Sequence, residues 1–230
     1  MAREELTIRV EQDPPGEVRA ALDVEDDAGG PVVLLAHGAG LPHDAPFMER
    51  VAVGLASRGL PTLRFDYPYA TRMHREGRRF PPNPMAKLLV AHGQVLAFLR
   101  ERFPDRAVVL AGKSMGGRAS SLLAAAGEEC LGCAFLGYPL HPPRKPDKLR
   151  VDHFGELAVP CLFLQGDRDP LAGLELLREH LPSIPGPVTL EVIEGGDHSF
   201  ELPKRMGRTP EAVQDELAER IARWVGLQSD

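Results

Sequence analysis

A serine framed by glycines follows a short apolar segment in the middle of the chain. The segment 108–111 runs directly into Gly112, Lys113, Ser114, Met115 and Gly116. This pattern is typical of a nucleophile elbow, a strand-to-helix turn that strains the central residue and tolerates only very small neighbours. The helix that follows such a turn directs its first amides towards a developing oxyanion. We therefore predict that Ser114 is a nucleophile and that Met115 donates one oxyanion hydrogen bond.

Gly112, Lys113 and Ser114 also match the last three residues of a phosphate-binding P-loop motif. That motif requires a glycine five positions before Gly112, where this chain has Ala107, and a loop where this chain has an apolar segment. Residues 118–126, rich in alanine and leucine, favour a helix directly after the serine. Because strand, turn and helix occur in the order that an elbow requires, we reject the P-loop.

A serine hydroxyl needs a base to take its proton and a carboxylate to orient that base. Among the eight histidines, only His198 lies in a glycine-rich turn after the last apolar strand segment, 188–193. Asp167 and Asp169 both follow the preceding strand segment, and loop position favours Asp169 with Asp167 as the alternative. Asp197 is adjacent to His198 in sequence and is poorly placed to orient its ring. We predict a triad of Ser114, His198 and Asp169.

A second glycine-rich loop follows the apolar segment 32–36. It consists of His37, Gly38, Ala39 and Gly40. Glycines allow backbone amides to approach a substrate closely, so this loop is suited to complete an oxyanion hole. We predict the Ala39 amide as its donor, with Gly40 as the alternative, and expect His37 to shape the loop rather than act as the base.

The elements that must position these residues alternate between apolar strands and amphipathic helices. This alternation predicts a mostly parallel sheet with helices on both faces, whose ligands bind beyond the carboxyl ends of the strands. Residues 6–10 and 18–23 alternate apolar and polar positions around Pro14 and Pro15, which predicts an antiparallel edge hairpin. The main predicted helices span residues 47–58, 85–103, 118–126 and 210–227.

The segment 66–84 breaks this pattern with several prolines and a cluster of basic residues. Long irregular segments are commonly functional or mobile, and charge runs usually face water. We favour a solvated basic loop. The alternative is that the segment borders the pocket and attracts a substrate carboxylate through Arg75 and Arg78.

Composition limits the class of protein. A chain of 230 residues with 43% hydrophobic and 26% charged residues fits one α/β domain over 1–230. The formal net charge of -6 argues against binding to nucleic acid or to an anionic membrane. The first ten residues do not resemble a signal peptide, and the chain has only three cysteines, so we predict a cytoplasmic protein. The C-x-x-C pair Cys130 and Cys133 has no second pair and lies in an apolar run, and we predict neither a metal nor a cofactor.

Taken together, these motifs resemble those of the α/β-hydrolase superfamily, in which the serine, acid and histidine follow one another in this order. More narrowly, five segments look like a branch of small predicted serine hydrolases related to dienelactone hydrolases: residues 37–40, 63–69, 112–117, 137–143 and 196–200. The resemblance implies an α/β-hydrolase fold with little or no cap domain. Dienelactone hydrolases use a cysteine nucleophile where this chain has Ser114, so their lactone substrate is not carried over.

The expected function is hydrolysis of a small carboxylic ester or related acyl compound by a serine hydrolase. The branch is also similar to eukaryotic subunits of larger assemblies, so a non-catalytic interaction module is the alternative. The sequence does not separate an esterase from a thioesterase, peptidase, perhydrolase or acyltransferase, and it leaves the oligomeric state open.

Overall fold

A computed structural model of the chain describes residues 1–11, 16–25 and 28–229. Its core is an eight-stranded sheet. The strands are β1 Ala2–Val10, β2 Gly16–Val24, β3 Val32–Ala36, β4 Thr62–Phe65, β5 Val108–Lys113, β6 Gly132–Leu136, β7 Cys161–Gly166 and β8 Val188–Ile193. They lie in the order β1-β2-β4-β3-β5-β6-β7-β8.

The sheet is parallel from β4 to β8 and antiparallel at its N-terminal edge. Strand β2 pairs antiparallel with both β1 and β4. The hairpin is longer than its alternating pattern predicts, because each strand has nine residues, but its register places Ile8 opposite Val18 as the pattern requires. The turn predicted at Pro14 and Pro15 lies outside the described residues. The prediction of a mostly parallel sheet with an antiparallel edge hairpin is confirmed.

Within the residues that the structure describes, six α-helices surround the sheet: α1 Pro46–Ala56, α2 Pro68–Glu76, α3 Met85–Arg102, α4 Met115–Ala125, α5 Leu174–His180 and α6 Pro210–Ser229. Short 3-10 helices span Phe154–Glu156, Leu181–Ser183 and Lys204–Met206. Helices α3 and α4 share one apolar core with one face of the sheet, and α1 and α6 share a second core with the other face. Both faces of the central strands are therefore covered, which explains why β3 and residues 108–111 of β5 are apolar.

The expectation of an irregular segment over 66–84 is wrong for residues 68–76, which form α2. Pro68 occupies the start of this helix, and Gly77 ends it in the left-handed conformation with φ 64°. Only Tyr69 and Ala70 of the helix are buried, so its sequence carries too little apolar periodicity to reveal it. The basic residues face solvent, as expected: the Arg75 side chain is 73% exposed.

The carboxyl ends of the strands remain accessible. The long connection between β6 and β7 contains a single 3-10 helix, and no further domain covers the strand ends within the described ranges. None of the helices described is both long and apolar enough to cross a membrane. Because the carboxyl ends of the strands are accessible, a site at this edge of the sheet is formed by the loops that follow the strands.

Candidate active site

Ser114 occupies a strained turn between β5 and α4. Its backbone has φ 50° and ψ -112°, values that side-chain-bearing residues rarely adopt. A Cβ on Gly116 would lie 2.3 Å from the carbonyl oxygen of Ala36, and one on Gly112 would lie 2.4 Å from the backbone of Gly116. Only glycine fits at either position. The flanking glycines thus allow α4 to pass closely across the sheet while Ser114 is held at the tip of its strand.

Two short hydrogen bonds connect Ser114 to a histidine and a carboxylate. Nε2 of His198 lies 2.8 Å from Oγ of Ser114, and Nδ1 of His198 lies 2.7 Å from Oδ2 of Asp169. In the neutral imidazole that fits these partners, Nδ1–H donates to the carboxylate and Nε2 accepts from the hydroxyl. The Asp169 side chain is fully buried, and that of His198 is 22% exposed. The arrangement joins three loops, which follow β5, β7 and β8.

The two candidate acids have different partners. Besides His198, Asp169 accepts hydrogen bonds from Nε2 of Gln165 at 2.6 Å and from the Leu171 amide at 2.8 Å. Asp167 instead accepts from the Gly195 amide at 2.7 Å and supports the turn after β8. Among the three candidate carboxylates, the structure brings Asp169 to His198, whereas Asp167 and Asp197 make hydrogen bonds to backbone amides.

The loop after β3 lies against the elbow. The position of a Cβ on Gly38 would be 3.5 Å from Cβ of Ser114. The Gly40 amide, which is the alternative oxyanion donor, already donates a hydrogen bond to the Tyr69 hydroxyl at 3.3 Å. Met115 is the first residue of α4, where helix amides have no acceptor within the helix. Ala39 and Met115 both border the cavity that contains Ser114.

His37 makes contacts that hold this loop in place. Its Nδ1–H donates to the Gly38 carbonyl at 2.7 Å, and its Nε2 accepts from the Tyr67 amide at 3.0 Å. Burial lowers the pKa of His37 to about 4, so the ring is neutral near neutral pH. These contacts agree with the expectation that His37 shapes the loop.

Lys113 connects the elbow to the turn that contains His198. Its Nζ donates to the His198 carbonyl at 2.5 Å and lies 5.3 Å from the centre of the Phe200 ring. Burial lowers the pKa of Lys113 to about 8, although the carboxylates of Asp169 and Asp197 oppose this shift. The sequence assigned no role to Lys113, and only its position beside the serine pointed to it.

A cavity of about 640 Å³ opens beside Ser114 and His198. Met85, Leu88 and Leu171 contribute apolar wall, and Arg118 and Arg150 contribute positive charge. The sequence reasoning missed both arginines. For Arg118 a signal exists, because it follows Ser114 by four residues, one turn into the helix.

The basic segment contributes to this cavity through uncharged residues. Pro82 and Asn83 border it, whereas Arg72 and Arg75 line an adjoining cleft of about 480 Å³ on the other side of these two residues. The alternative in which Arg75 and Arg78 attract a substrate carboxylate therefore lacks support from their positions.

A family described as alpha/beta hydrolase domain matches residues 29–226 of the chain. The chain belongs to the alpha/beta hydrolase family. The match covers the elbow, the loop after β3 and the turns that contain Asp169 and His198. It confirms the resemblance stated from the sequence motifs.

Solved structures of other alpha/beta hydrolases share the fold. A dienelactone hydrolase from Anabaena variabilis superposes with a TM-score of 0.76 at 22% identity, covering 96% of both chains. An alpha-beta serine hydrolase homologue from Coxiella burnetii gives a TM-score of 0.73 at 18% identity and covers 96% of this chain and 98% of its own. A serine hydrolase without lid from Xanthomonas campestris gives 0.68 at 20% identity, with coverage of 96% and 95%. At these identities the likeness establishes the fold.

Proposed function

We propose that the chain is a serine hydrolase that cleaves a small carboxylic ester or related acyl compound through an acyl-enzyme. The observation that carries this proposal is the continuous hydrogen-bonded series from Ser114 through His198 to Asp169, at the edge of an accessible cavity. The names of the similar structures, which include a serine hydrolase without lid and an esterase from Butyrivibrio proteoclasticus, agree with it.

In the first half-reaction, Oγ of Ser114 attacks the carbonyl carbon while His198 Nε2 takes the hydroxyl proton. The carbonyl oxygen becomes an oxyanion, and the amides of Ala39 and Met115 are the proposed donors to it. Asp169 stabilises the imidazolium. Collapse of the tetrahedral intermediate breaks the ester bond, and the leaving alcohol takes the proton from His198.

In the second half-reaction, water attacks the acyl group on Ser114. His198 now takes a proton from this water and returns it to Oγ as the acid product leaves. The protein thus returns to its starting protonation state, and the net reaction consumes one water and releases the alcohol and the acid. No group beyond the triad, the two amides and water enters these steps.

Labelling with a fluorophosphonate probe tests this proposal, because the probe forms a covalent bond only with an activated serine. We expect the wild type to label and Ser114→Ala to lose the label. Ser199→Ala is the matched control, since Ser199 borders the same cavity and His198 Nε2 has its hydrogen bond with Ser114. It should label as the wild type does. A folded wild type that does not label would instead support the non-catalytic interaction module.

A further inference from the structure

Two arginines face the cavity beside the proposed nucleophile. Arg118 lies one turn into α4, and Arg150 lies in the connection between β6 and β7. Both are half-buried, and both border the same cavity as Ser114 and His198. Two elements that are distant in sequence thus each contribute an arginine to the lining of one cavity.

Neither guanidinium has a partner among the residues that the structure describes. Nε of Arg118 is buried and has no hydrogen-bond acceptor there, and neither side chain forms an ion pair. The fully buried Arg64, in contrast, forms an ion pair, because its Nε lies 2.9 Å from the carboxylate of Asp23. A buried donor without an acceptor costs free energy, so its retention in a cavity is typical of a ligand site.

The charges around the two arginines are unbalanced. No aspartate or glutamate borders the cavity within the described part of the chain, although the whole sequence has a net charge of -6. Burial lowers the pKa of Arg150 below its ordinary value, and the positive charge of Arg118 lowers it further. The charge of Arg118 also contributes, after burial, to lowering the pKa of His153 to about 4. An anion bound here would relieve this repulsion.

We propose that Arg118 and Arg150 bind an anionic group of the substrate, a carboxylate or a phosphate, while its acyl carbon lies at Ser114. Guanidinium groups suit both anions because their planar donors match two oxygens at once. The apolar wall formed by Met85, Leu88 and Leu171 accommodates the carbon chain between the two ends. This inference rests on the proposed function, and it specifies the substrate class of that site.

Three p-nitrophenyl esters of matched chain length test the inference: the neutral valerate, the monoester of glutarate, and a phosphonobutyrate. We expect the wild type to prefer the anionic esters by about 10- to 100-fold in kcat/KM, the range of charge-assisted hydrogen bonds. The preferred anion identifies the group that the site binds. Arg118→Gln and Arg150→Gln should each remove most of this preference, mainly by raising KM for the anionic esters relative to KM for the valerate. Arg118→Lys should retain part of it.

Arg75→Gln is the matched control, because Arg75 is exposed and lines the other cleft. It should keep the full preference. Equal rates of the wild type on charged and neutral esters would overturn the inference, as would glutamine variants that lose activity on all three esters alike while remaining folded.

Binding separates this inference from the proposed function. Calorimetric titration of Ser114→Ala with monoethyl glutarate should show binding that weakens about 10-fold or more when Arg118→Gln is added. If the wild type hydrolyses none of the esters and takes no fluorophosphonate label, such binding to Ser114→Ala would support the anion site and contradict the hydrolase. Absence of binding to monoethyl glutarate and to a phosphonate analogue would overturn the anion site even if the valerate is hydrolysed.

Discussion

Nζ of Lys113 donates a hydrogen bond to the carbonyl oxygen of His198 at 2.5 Å. The residue beside the proposed nucleophile thus supports the turn that contains the proposed base, across 85 positions of sequence. The side chain is buried between these two loops, so the contact restricts the distance between Ser114 and His198.

Replacing Lys113 should therefore impair turnover more than stability. Lys113→Met keeps an unbranched apolar side chain at this position and removes the donor to the His198 carbonyl. Because small displacements of reacting groups are costly, we expect kcat on p-nitrophenyl acetate to fall by about 10- to 100-fold. Removing a buried charge offsets part of the lost hydrogen bond, so the thermal midpoint should change little. An unchanged kcat in folded Lys113→Met would show that the contact does not position His198.

The two acid candidates can be separated by matched variants. Asp169→Asn leaves a group of the same shape beside His198 but favours the wrong tautomer, so kcat should fall by about 10,000-fold. Asp167→Asn removes a negative charge but keeps an oxygen that can accept from the Gly195 amide, so it should change kcat less than about 10-fold. Steady-state kinetics on one ester measures both. Comparable losses in the two variants would contradict the assignment of Asp169.

The elbow should not tolerate a methyl group at Gly116. Gly116→Ala places its Cβ against the backbone of Ala36 and His37, so we expect a loss of about 2 kcal/mol or more in the free energy of unfolding. Fluorophosphonate labelling should also decrease, because relief of the clash displaces Ser114. Gly93→Ala is the control: it lies within α3 with open space around it and should stabilise the protein by about 0.5 to 1 kcal/mol. Urea unfolding measures both, and equal stabilities would contradict the close approach at the elbow.

The buried His92 should make the protein sensitive to acid. Burial lowers the pKa of His92 to about 3, whereas an unfolded histidine titrates near 6.5. The stabilising contribution of neutral His92 is complete above pH 6.5 and is lost as pH falls towards 3, because the unfolded chain then binds the extra proton. Between pH 6.5 and 5 this amounts to about 2 kcal/mol, at about 1.4 kcal/mol per pH unit.

Urea unfolding at these two pH values checks the sign and the size of the effect. His92→Gln, which keeps a polar group near the Tyr67 hydroxyl, should lose less stability on acidification than the wild type. His74→Gln, on the exposed side of α2, should behave as the wild type does. A pH dependence that is identical in His92→Gln and the wild type would contradict the prediction.

The sequence was sufficient to predict the order of the strands, the helices other than α2, and the loops that meet at the site. The apolar segments before Ser114, Asp169 and His198 end at one edge of a parallel sheet, so their proximity follows from topology. Loop position favoured Asp169 over Asp167 as the acid, and the different hydrogen bonds of the two carboxylates emerge only from the structure. The catalytic roles of these residues remain predictions.

Other features depend on contacts that no local pattern contains. Helix α2 has few apolar positions, and the engagement of the Gly40 amide by Tyr69 depends on how that helix packs. Arg118 and Arg150 meet across 32 positions of sequence, at a cavity whose lining comes from several loops. Charge clustering along the chain pointed to Arg75 and Arg78 instead, because sequence shows the density of charges but not which of them lack a partner.

The central claim is that Ser114 forms a covalent acyl-enzyme. The most direct measurement is intact-protein mass spectrometry after rapid acid quenching of the wild type with p-nitrophenyl acetate, followed by peptide mapping. We predict a mass increase of one acetyl group located at Ser114, and its absence in Ser114→Ala. Hydrolysis of the ester by the wild type with no acetyl group on Ser114, or with the group on another residue, would contradict the account.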